Sequence, residues 1–466
     1  MPTLLITVDA LRADRLGQYG YHRDTMPVLD ELVAAGTLFE RAFANGPYTR
    51  VSVPSFHTSR YLAYGDVGAL PTIPAALGDA GVRTAAIGTQ TGIGLVRGEY
   101  GYDELIDLGR DGFERGGQRP PDERVLVAAD DVAASVSEWL QRRGMDRLYR
   151  ALKRPYDAVV GESKPERAKG YTSAEAVTDR AVEWLDEHDE DPDPNGEFFL
   201  WLHYMEAHRP YGIHDTDPEY LDGPVDSDRI RDLMRRAGTA PGSLSAEEVE
   251  LMRDLYDSDL RYCSRHLRRL FDALRDRGLF EESDIVFSSD HGEEFREHGR
   301  FFHRNFPYDE LIHVPLVVAR AGGGATEPVA EQRELLDLAP TICGFHDVDA
   351  SGYSFRGTPL FEGGPRDVIA LGQPGMDEPA LAVRADGWKY IHTDAAEQLY
   401  DLESDPGERE DVVATTPDTA RRLRRLVPEY LFGRDTKAPR PPEDAVDREQ
   451  LAALGYMELR EDEGSG

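Results

Sequence analysis

The chain has 466 residues, of which 40% are hydrophobic, and a formal net charge of −35 from 88 acidic and 53 basic side chains. The length exceeds what one core keeps growing over, so a large domain with a smaller companion is expected, and the apolar content excludes a disordered chain. The acidic excess runs along the whole sequence and excludes nonspecific binding to polymeric nucleic acid, which needs a basic face.

Only five basic residues are lysines: Lys153, Lys164, Lys169, Lys389 and Lys437. An acidic surface built with arginine points to high salt, where self-repulsion is screened, rather than to a cationic partner. Cys263 and Cys343 lie in helix-like segments and read as small core residues, too few for a disulfide framework or a thiolate cluster. No run of 18 apolar residues occurs, so no membrane partner is expected. No basic leader precedes the first strand, which makes the cytoplasm the expected location.

In chain order, residues 4–8 read as a buried parallel strand. Residues 26–35 read as a helix that Pro27 opens and Gly36 stops. Residues 37–43 form a short strand that leads into the 45–49 loop. Residues 55–61 have helical character, which puts Thr49 near a helix N-terminus, a place that favours anions. A helix over 73–80 and a strand over 82–88 follow. Residues 110–169, rich in Arg, Asp and Gly with helical pieces such as 132–141, read as an insertion or lid. Then come a helix over 174–187, a buried strand over 198–203, and a long helix over 245–277 with Ser245 and Glu248 at capping-box spacing. Strands at 284–288 and 314–319 precede a helix over 335–343. From about residue 357 the texture changes, with antiparallel strands at 381–391 and 398–402 and a helix over 416–430. The alternation predicts an α/β fold, a mostly parallel sheet with helices on both faces. The expected division is a catalytic domain over 1–355, a C-terminal subdomain over 356–458 and a polar tail over 459–466.

Chemistry collects where strands end. Asp9 follows the first strand directly, and Asp290-His291-Gly292 follows the strand over 284–288. An aspartate at a strand end also caps turns. Two such acids with an adjacent imidazole can hold a divalent cation outside the carboxyl edge of an α/β sheet. Thr49 can then supply an oxygen nucleophile activated by that cation. The set reads as metal-assisted ester hydrolysis.

Longer stretches carry a resemblance. Val8-Asp9-Ala10-Leu11-Arg12-Ala13-Asp14, His203-Tyr204-Met205-Glu206-Ala207-His208-Arg209-Pro210-Tyr211, Ser289-Asp290-His291-Gly292-Glu293 and Leu399-Tyr400-Asp401-Leu402 together resemble the sulfatase branch of the alkaline-phosphatase superfamily. The resemblance implies an alkaline-phosphatase-like α/β sandwich, with a large mostly parallel sheet and a smaller C-terminal antiparallel subdomain. It also implies a metal held by Asp9, Asp290, His291 and the nucleophile. Many members carry a second early acid where this chain has Ala10. One divalent cation is expected: Ca2+, Mg2+ or Mn2+ suits the oxygen-rich shell, and the imidazole keeps Zn2+ in play.

The chain departs from the family at the nucleophile. Family sulfatases carry Cys or Ser, converted to formylglycine, in a C/S-x-P-x-R motif. In register that position is Thr49, with Val51 and Val53 replacing the Pro and Arg. A shifted reading over Ser52-Val53-Pro54 offers Ser52 instead but breaks the downstream register. Threonine cannot become formylglycine by that route. It is the metal-bound nucleophile of phosphatase, phosphodiesterase and phosphotransferase relatives, so Thr49 points to phosphate mono- or diesters, with sulfate esters and phosphoryl transfer as alternatives.

His208, in the family's His-x-Pro position, is the expected donor to the leaving oxygen. His303 stands where many sulfatases place a lysine on the ester oxyanions, with His298 and Arg304 as nearby alternates and Arg304 an expected substrate contact. Thr89 and Thr91 occupy a loop where relatives place polar contacts. Lys389 falls in a C-terminal strand and is read as a sheet-edge residue outside the catalytic set. The expected partner is a small-molecule or glycan ester.

Overall fold

The computed structural model describes residues 1–61, 67, 70–89, 100–108, 172–190, 197–372 and 380–432. The segment expected to be an insertion or lid, the polar tail and Thr91 lie outside them.

The apolar run at the N-terminus becomes Thr3–Val8, the middle strand of a seven-stranded sheet. The strand order is Gly36–Leu38, Leu316–Ala319, Asp284–Ser288, Thr3–Val8, Phe198–Tyr204, Arg83–Gly88 and Glu104–Asp107. The last five in this order are parallel to one another, and the first two pair antiparallel at one edge. Both faces of the middle strand are covered, which is why its sequence is apolar without alternation. Leu4, Ile6 and Val8 pack with Leu200, Leu202 and the Leu260–Leu267 side of a long helix. Leu5 packs on the other face with Phe199, Trp201, Phe56 and Ile342. Each fully buried side chain of this kind contributes about 1.5–3 kcal/mol, so the sheet centre is a rigid base for whatever its strand ends carry.

The long helix spans Ala246–Asp276, and its capping box forms as the sequence predicts: the Ser245 hydroxyl accepts from the Glu248 N–H, and the Glu248 carboxylate accepts from the Ser245 N–H. Gly278, at φ +68°, takes the left-handed conformation that ends it. A second, four-stranded antiparallel sheet runs Val368–Leu371, Leu381–Ala385, Trp388–His392, Glu397–Asp401 and is backed by the helix Pro417–Arg424. Among the described residues no helix is long and apolar enough to cross a membrane.

Several expected elements are divided or displaced. The strand expected over 314–319 splits at Pro315: His313–Val314 pairs with Ala42–Phe43, and Leu316–Ala319 joins the large sheet, since proline has no N–H for a ladder. The helix expected over 416–430 ends earlier, and Pro428 leads into a short 3-10 turn at Glu429–Leu431. The helix expected over 55–61 instead spans Thr49–Thr58 and contains Pro54. The helix Ser227–Thr239 and the strands Glu104–Asp107 and Val368–Leu371 have no counterpart in the sequence reading.

Candidate active site and metal centre

Three parallel strands deliver the site at their carboxyl ends. Asp9 follows Thr3–Val8, and its N–H donates to the Tyr204 carbonyl at 2.8 Å. Ala10 takes a left-handed backbone at φ 60°, which aims its N–H at Asp290 Oδ1, 3.4 Å away. Ser289 ties the two strand ends together: its Oγ lies 2.6 Å from the Val8 carbonyl and accepts from the Leu11 N–H at 3.0 Å. Gly292 is required by close approach, because a Cβ there would overlap the Glu310 carbonyl. Asp9, Asp290 and His291 are all 0% exposed.

Thr49 is the first residue of its helix. Its hydroxyl donates to Asp9 Oδ2 at 3.3 Å and lies 3.1 Å from His291 Nε2. His291 Nδ1–H donates to the Gly292 carbonyl at 2.8 Å, which turns Nε2 toward the threonine hydroxyl. His291 Nε2 also stands 3.4 Å from Asp9 Oδ1 and 3.6 Å from Asp290 Oδ2. The Asn45–Gly46 loop leading to Thr49 is clamped by backbone: the Leu371 N–H donates to the Asn45 carbonyl at 2.9 Å. The Asn45 side chain donates to Glu334 at 2.8 Å and to the Ile369 carbonyl at 3.0 Å.

The structure also brings His203 to this point. It sits one residue before the end of Phe198–Tyr204 and pairs in register with Thr7. Asp9, His203 and Asp290 each offer one ligand atom, and these atoms lie within 4.8 Å of one another. Two buried carboxylates and two imidazoles converging at a strand edge suit a divalent cation. Burial pushes Asp9 upward, but the His208, His203 and His291 imidazoles outweigh it and hold the carboxyl well below its usual range. Asp290 goes the other way, raised by burial and by the charge of Asp9.

His208 and His303 are buried beside the acids, their rings 5.0 Å apart, and the His303 ring lies 4.7 Å from that of His291. His208 Nδ1–H donates to the Arg209 carbonyl at 2.6 Å. Burial pulls the His208 ring down to about 4, against the attraction of Asp9. His303 is also lowered, first by burial and then by His291 and Arg209. Its Nδ1 meets Glu293 Oε1 at 3.2 Å, and the Tyr211 hydroxyl donates to Glu293 Oε2 at 2.8 Å. Arg304 and Arg209 both act on the Tyr48 hydroxyl, which burial raises to about 12.

The sequence-predicted residues separate into three groups. Asp9, Thr49, Asp290, His291, His208 and His303 come together. Thr89 is buried just past Arg83–Gly88, at the same sheet edge but two strands from Asp9. His298 turns away, stacked on Tyr308 with ring centroids 3.6 Å apart. Ser52 is buried, and its hydroxyl has no hydrogen-bond partner among the described residues. Lys389 is fully buried rather than at an exposed edge, with Asp309 and Glu408 each 2.8 Å from its Nζ. His203, Glu293 and Tyr211 were not singled out from the sequence. The one available signal for His203 was an imidazole closing a strand whose neighbour ends in Asp9.

A family model described as Sulfatase matches residues 3–348. The chain belongs to the sulfatase family. Arylsulfatase K of Gallus gallus is 29% identical over 204 residues, 40% of this chain and 38% of that protein. The chain thus aligns with a little over a third of the length of this curated relative. A solved 2-O GAG sulfatase matches with a TM-score of 0.62 at 18% identity, covering 92% of each chain. The phosphonate monoester hydrolase of Agrobacterium radiobacter matches with a TM-score of 0.60 at 19% identity, covering 91% of this chain and 94% of that one. At these identities the two structures establish the shared fold. Members of the family bind a divalent metal, and the Asp9, His203 and Asp290 group is placed to hold one here.

Proposed function

We propose that this sulfatase-family hydrolase cleaves a phosphate mono- or diester, with Thr49 as the nucleophile. One observation carries the reading: the residue in the family's nucleophile position is a threonine whose hydroxyl lies against both Asp9 and His291, at 3.3 and 3.1 Å, at the start of a helix.

Asp9, Asp290, His291 and the Thr49 oxygen would hold the metal. When bound, it lowers the hydroxyl pKa and neutralises charge on the ester. The helix N-terminus adds backbone N–H groups that favour an anion. Thr49 Oγ1 gives up its proton to solvent, an acidity that a bound cation would supply, and forms the new O–P bond as the bond from phosphorus to the leaving oxygen breaks. His208 protonates the departing oxygen. An anionic ester beside this buried ring favours its charged form, offsetting the desolvation that keeps it neutral when the ester is absent. His303, steadied by Glu293, and Arg304 contact the phosphoryl oxygens. Water then attacks the phospho-threonine, returning Thr49 and releasing phosphate from a monoester or a phosphomonoester from a diester. A sulfated threonine lacks the geminal hydroxyl that expels sulfate from formylglycine, which is why phosphate is favoured over sulfate.

The test is turnover of p-nitrophenyl phosphate, its bis-ester and p-nitrophenyl sulfate in molar salt with added divalent metal. Phosphate or bis-ester turnover that Thr49→Ala abolishes and Thr49→Ser largely keeps is the expected result. Sulfate turnover that survives Thr49→Ala would overturn it and return attention to Ser52.

A further inference from the structure

We infer that His203 is a direct ligand of the metal, and that its imidazole, together with that of His291, sets the centre for a transition ion of the zinc–manganese class rather than for Ca2+ or Mg2+. The inference rests on the metal centre proposed above and adds to it a ligand and a selectivity.

Three observations converge on His203. The ring is 0% exposed and its Nε2 has no hydrogen-bond partner among the described residues. A buried polar atom without a hydrogen-bond partner is costly, and a bound cation would satisfy it. That atom faces the acids: it belongs to the one group of potential ligand atoms among the described residues that lie within 4.8 Å of one another, with Asp9 and Asp290. Its separation from Asp9 Oδ2 is 3.5 Å. That is at the long limit of an N–H···O hydrogen bond. It suits two atoms that share an ion, since ligands each about 2.1 Å from a metal stand a little over 3 Å apart.

The other side of the ring fixes which nitrogen carries hydrogen. Nδ1 lies 2.8 Å from Thr7 Oγ1. That oxygen already accepts from Trp201 Nε1–H at 2.9 Å and has a carbonyl acceptor, Leu202 O, at 3.4 Å. A hydroxyl has one hydrogen and two acceptor positions. With its hydrogen on Leu202 and one lone pair on Trp201, the remaining lone pair takes a hydrogen from His203 Nδ1. The ring is then neutral, with the Nε2 lone pair aimed between the carboxylates, and it binds a cation without releasing a proton. An outer hydrogen bond that fixes the tautomer of a ligating imidazole in this way recurs at metal sites.

A second imidazole changes which ion fits. Asp9, Asp290 and Thr49 supply hard oxygens, which alone suit Ca2+ or Mg2+. Two neutral nitrogens shift the preference to the Irving–Williams series, Zn2+ above Mn2+.

Equilibrium dialysis of the chelator-stripped full chain against Zn2+, Mn2+ and Ca2+ tests this. Wild type should bind one equivalent in the order Zn2+, Mn2+, Ca2+. His203→Asn keeps a group at the Nδ1 position for Thr7 but deletes Nε2. It should weaken Zn2+ by roughly 100-fold while leaving Ca2+ within a few-fold. His203→Gln, which restores a polar atom near Nε2, should recover part of that loss. Thr7→Val should cost about tenfold through the lost orientation, and it serves if the Asn variant fails to fold. Asp290→Asn is the control for the centre itself. If it abolishes binding while His203→Asn and Thr7→Val leave affinity and ion order unchanged, the His203 assignment falls and the metal centre stands. If wild type binds no divalent ion, both fall.

Discussion

Asp290→Asn should have opposite effects on stability with and without metal. The ligand atoms of Asp9 and Asp290 lie within 4.8 Å of one another, and both residues are 0% exposed. Two unit charges at that distance repel by about 3 kcal/mol at an effective dielectric constant of 20. Asn keeps the Oδ1 acceptor that Ala10 and His291 N–H groups use, at 3.4 and 3.0 Å, so the loop loses no hydrogen bond. The gain is smaller than the full repulsion, because the nearby His291 and His203 imidazoles attract the Asp290 carboxylate and offset part of it. In chelator the variant should therefore be more stable than wild type by about 1–3 kcal/mol. With metal at a thousand times its Kd, wild type gains about 4.1 kcal/mol and the variant gains little, so the order reverses. Denaturant unfolding followed by tryptophan fluorescence, with and without EDTA at fixed molar salt, reads both numbers. A variant less stable than wild type in EDTA would refute the reasoning, because it would mean that the two acids do not repel across the site.

Other perturbations probe the frame. Lys389→Met should destabilise by about 3–5 kcal/mol in chemical unfolding, because Asp309 and Glu408 then share a buried space without their cation. His57, at the back of the sheet, is held neutral: its Nδ1–H donates to the Val53 carbonyl at 2.9 Å, Tyr102 reaches Nε2 at 2.8 Å, and burial lowers it from 6.5 to about 3. A base with a lowered folded pKa contributes stability that is complete above 6.5 and lost as pH falls toward 3. His57→Gln should thus remove about 2 kcal/mol from the difference in unfolding free energy between pH 7 and pH 5. Gly292→Ala should displace the loop carrying His291 against the Glu310 carbonyl and weaken metal binding at least tenfold by dialysis, with the far-UV spectrum unchanged.

What the sequence made legible follows from locality. The strands at residues 4–8 and 284–288 are short apolar runs, and an acid immediately after each is visible without a structure. The capping box at Ser245 needs only four residues. His203 was hidden because it lies inside the run Phe198–Tyr204, where an imidazole reads as one more buried strand residue. Its meaning comes from register with Thr7 on a strand almost two hundred residues away. The Glu293–His303 contact likewise needs the short hairpin of Glu294–Phe295 with Phe301–Phe302 to turn the chain back. The helix at Thr49 was misplaced because Val51, Val53 and Pro54 disfavour helix locally, and packing against the sheet overrides them. In Ser227–Thr239, Ile230, Leu233 and Ala237 form the buried stripe, but dense charge between them concealed the period.

The clamp on Asn45 has a consequence for how the enzyme comes into being. Asp9 follows the strand Thr3–Val8, before the Thr49 loop, yet that loop is held by carbonyl and N–H groups at Ile369 and Leu371, 324 positions beyond Asn45 in the case of Ile369. Loop-closure entropy must be spent over most of the chain before that bond forms. A nascent chain stopped before Val368 could assemble the central sheet and still leave the Asn45–Thr49 loop unheld. Under the proposed function, the Thr49 loop is therefore held in place only once the C-terminal sheet has formed.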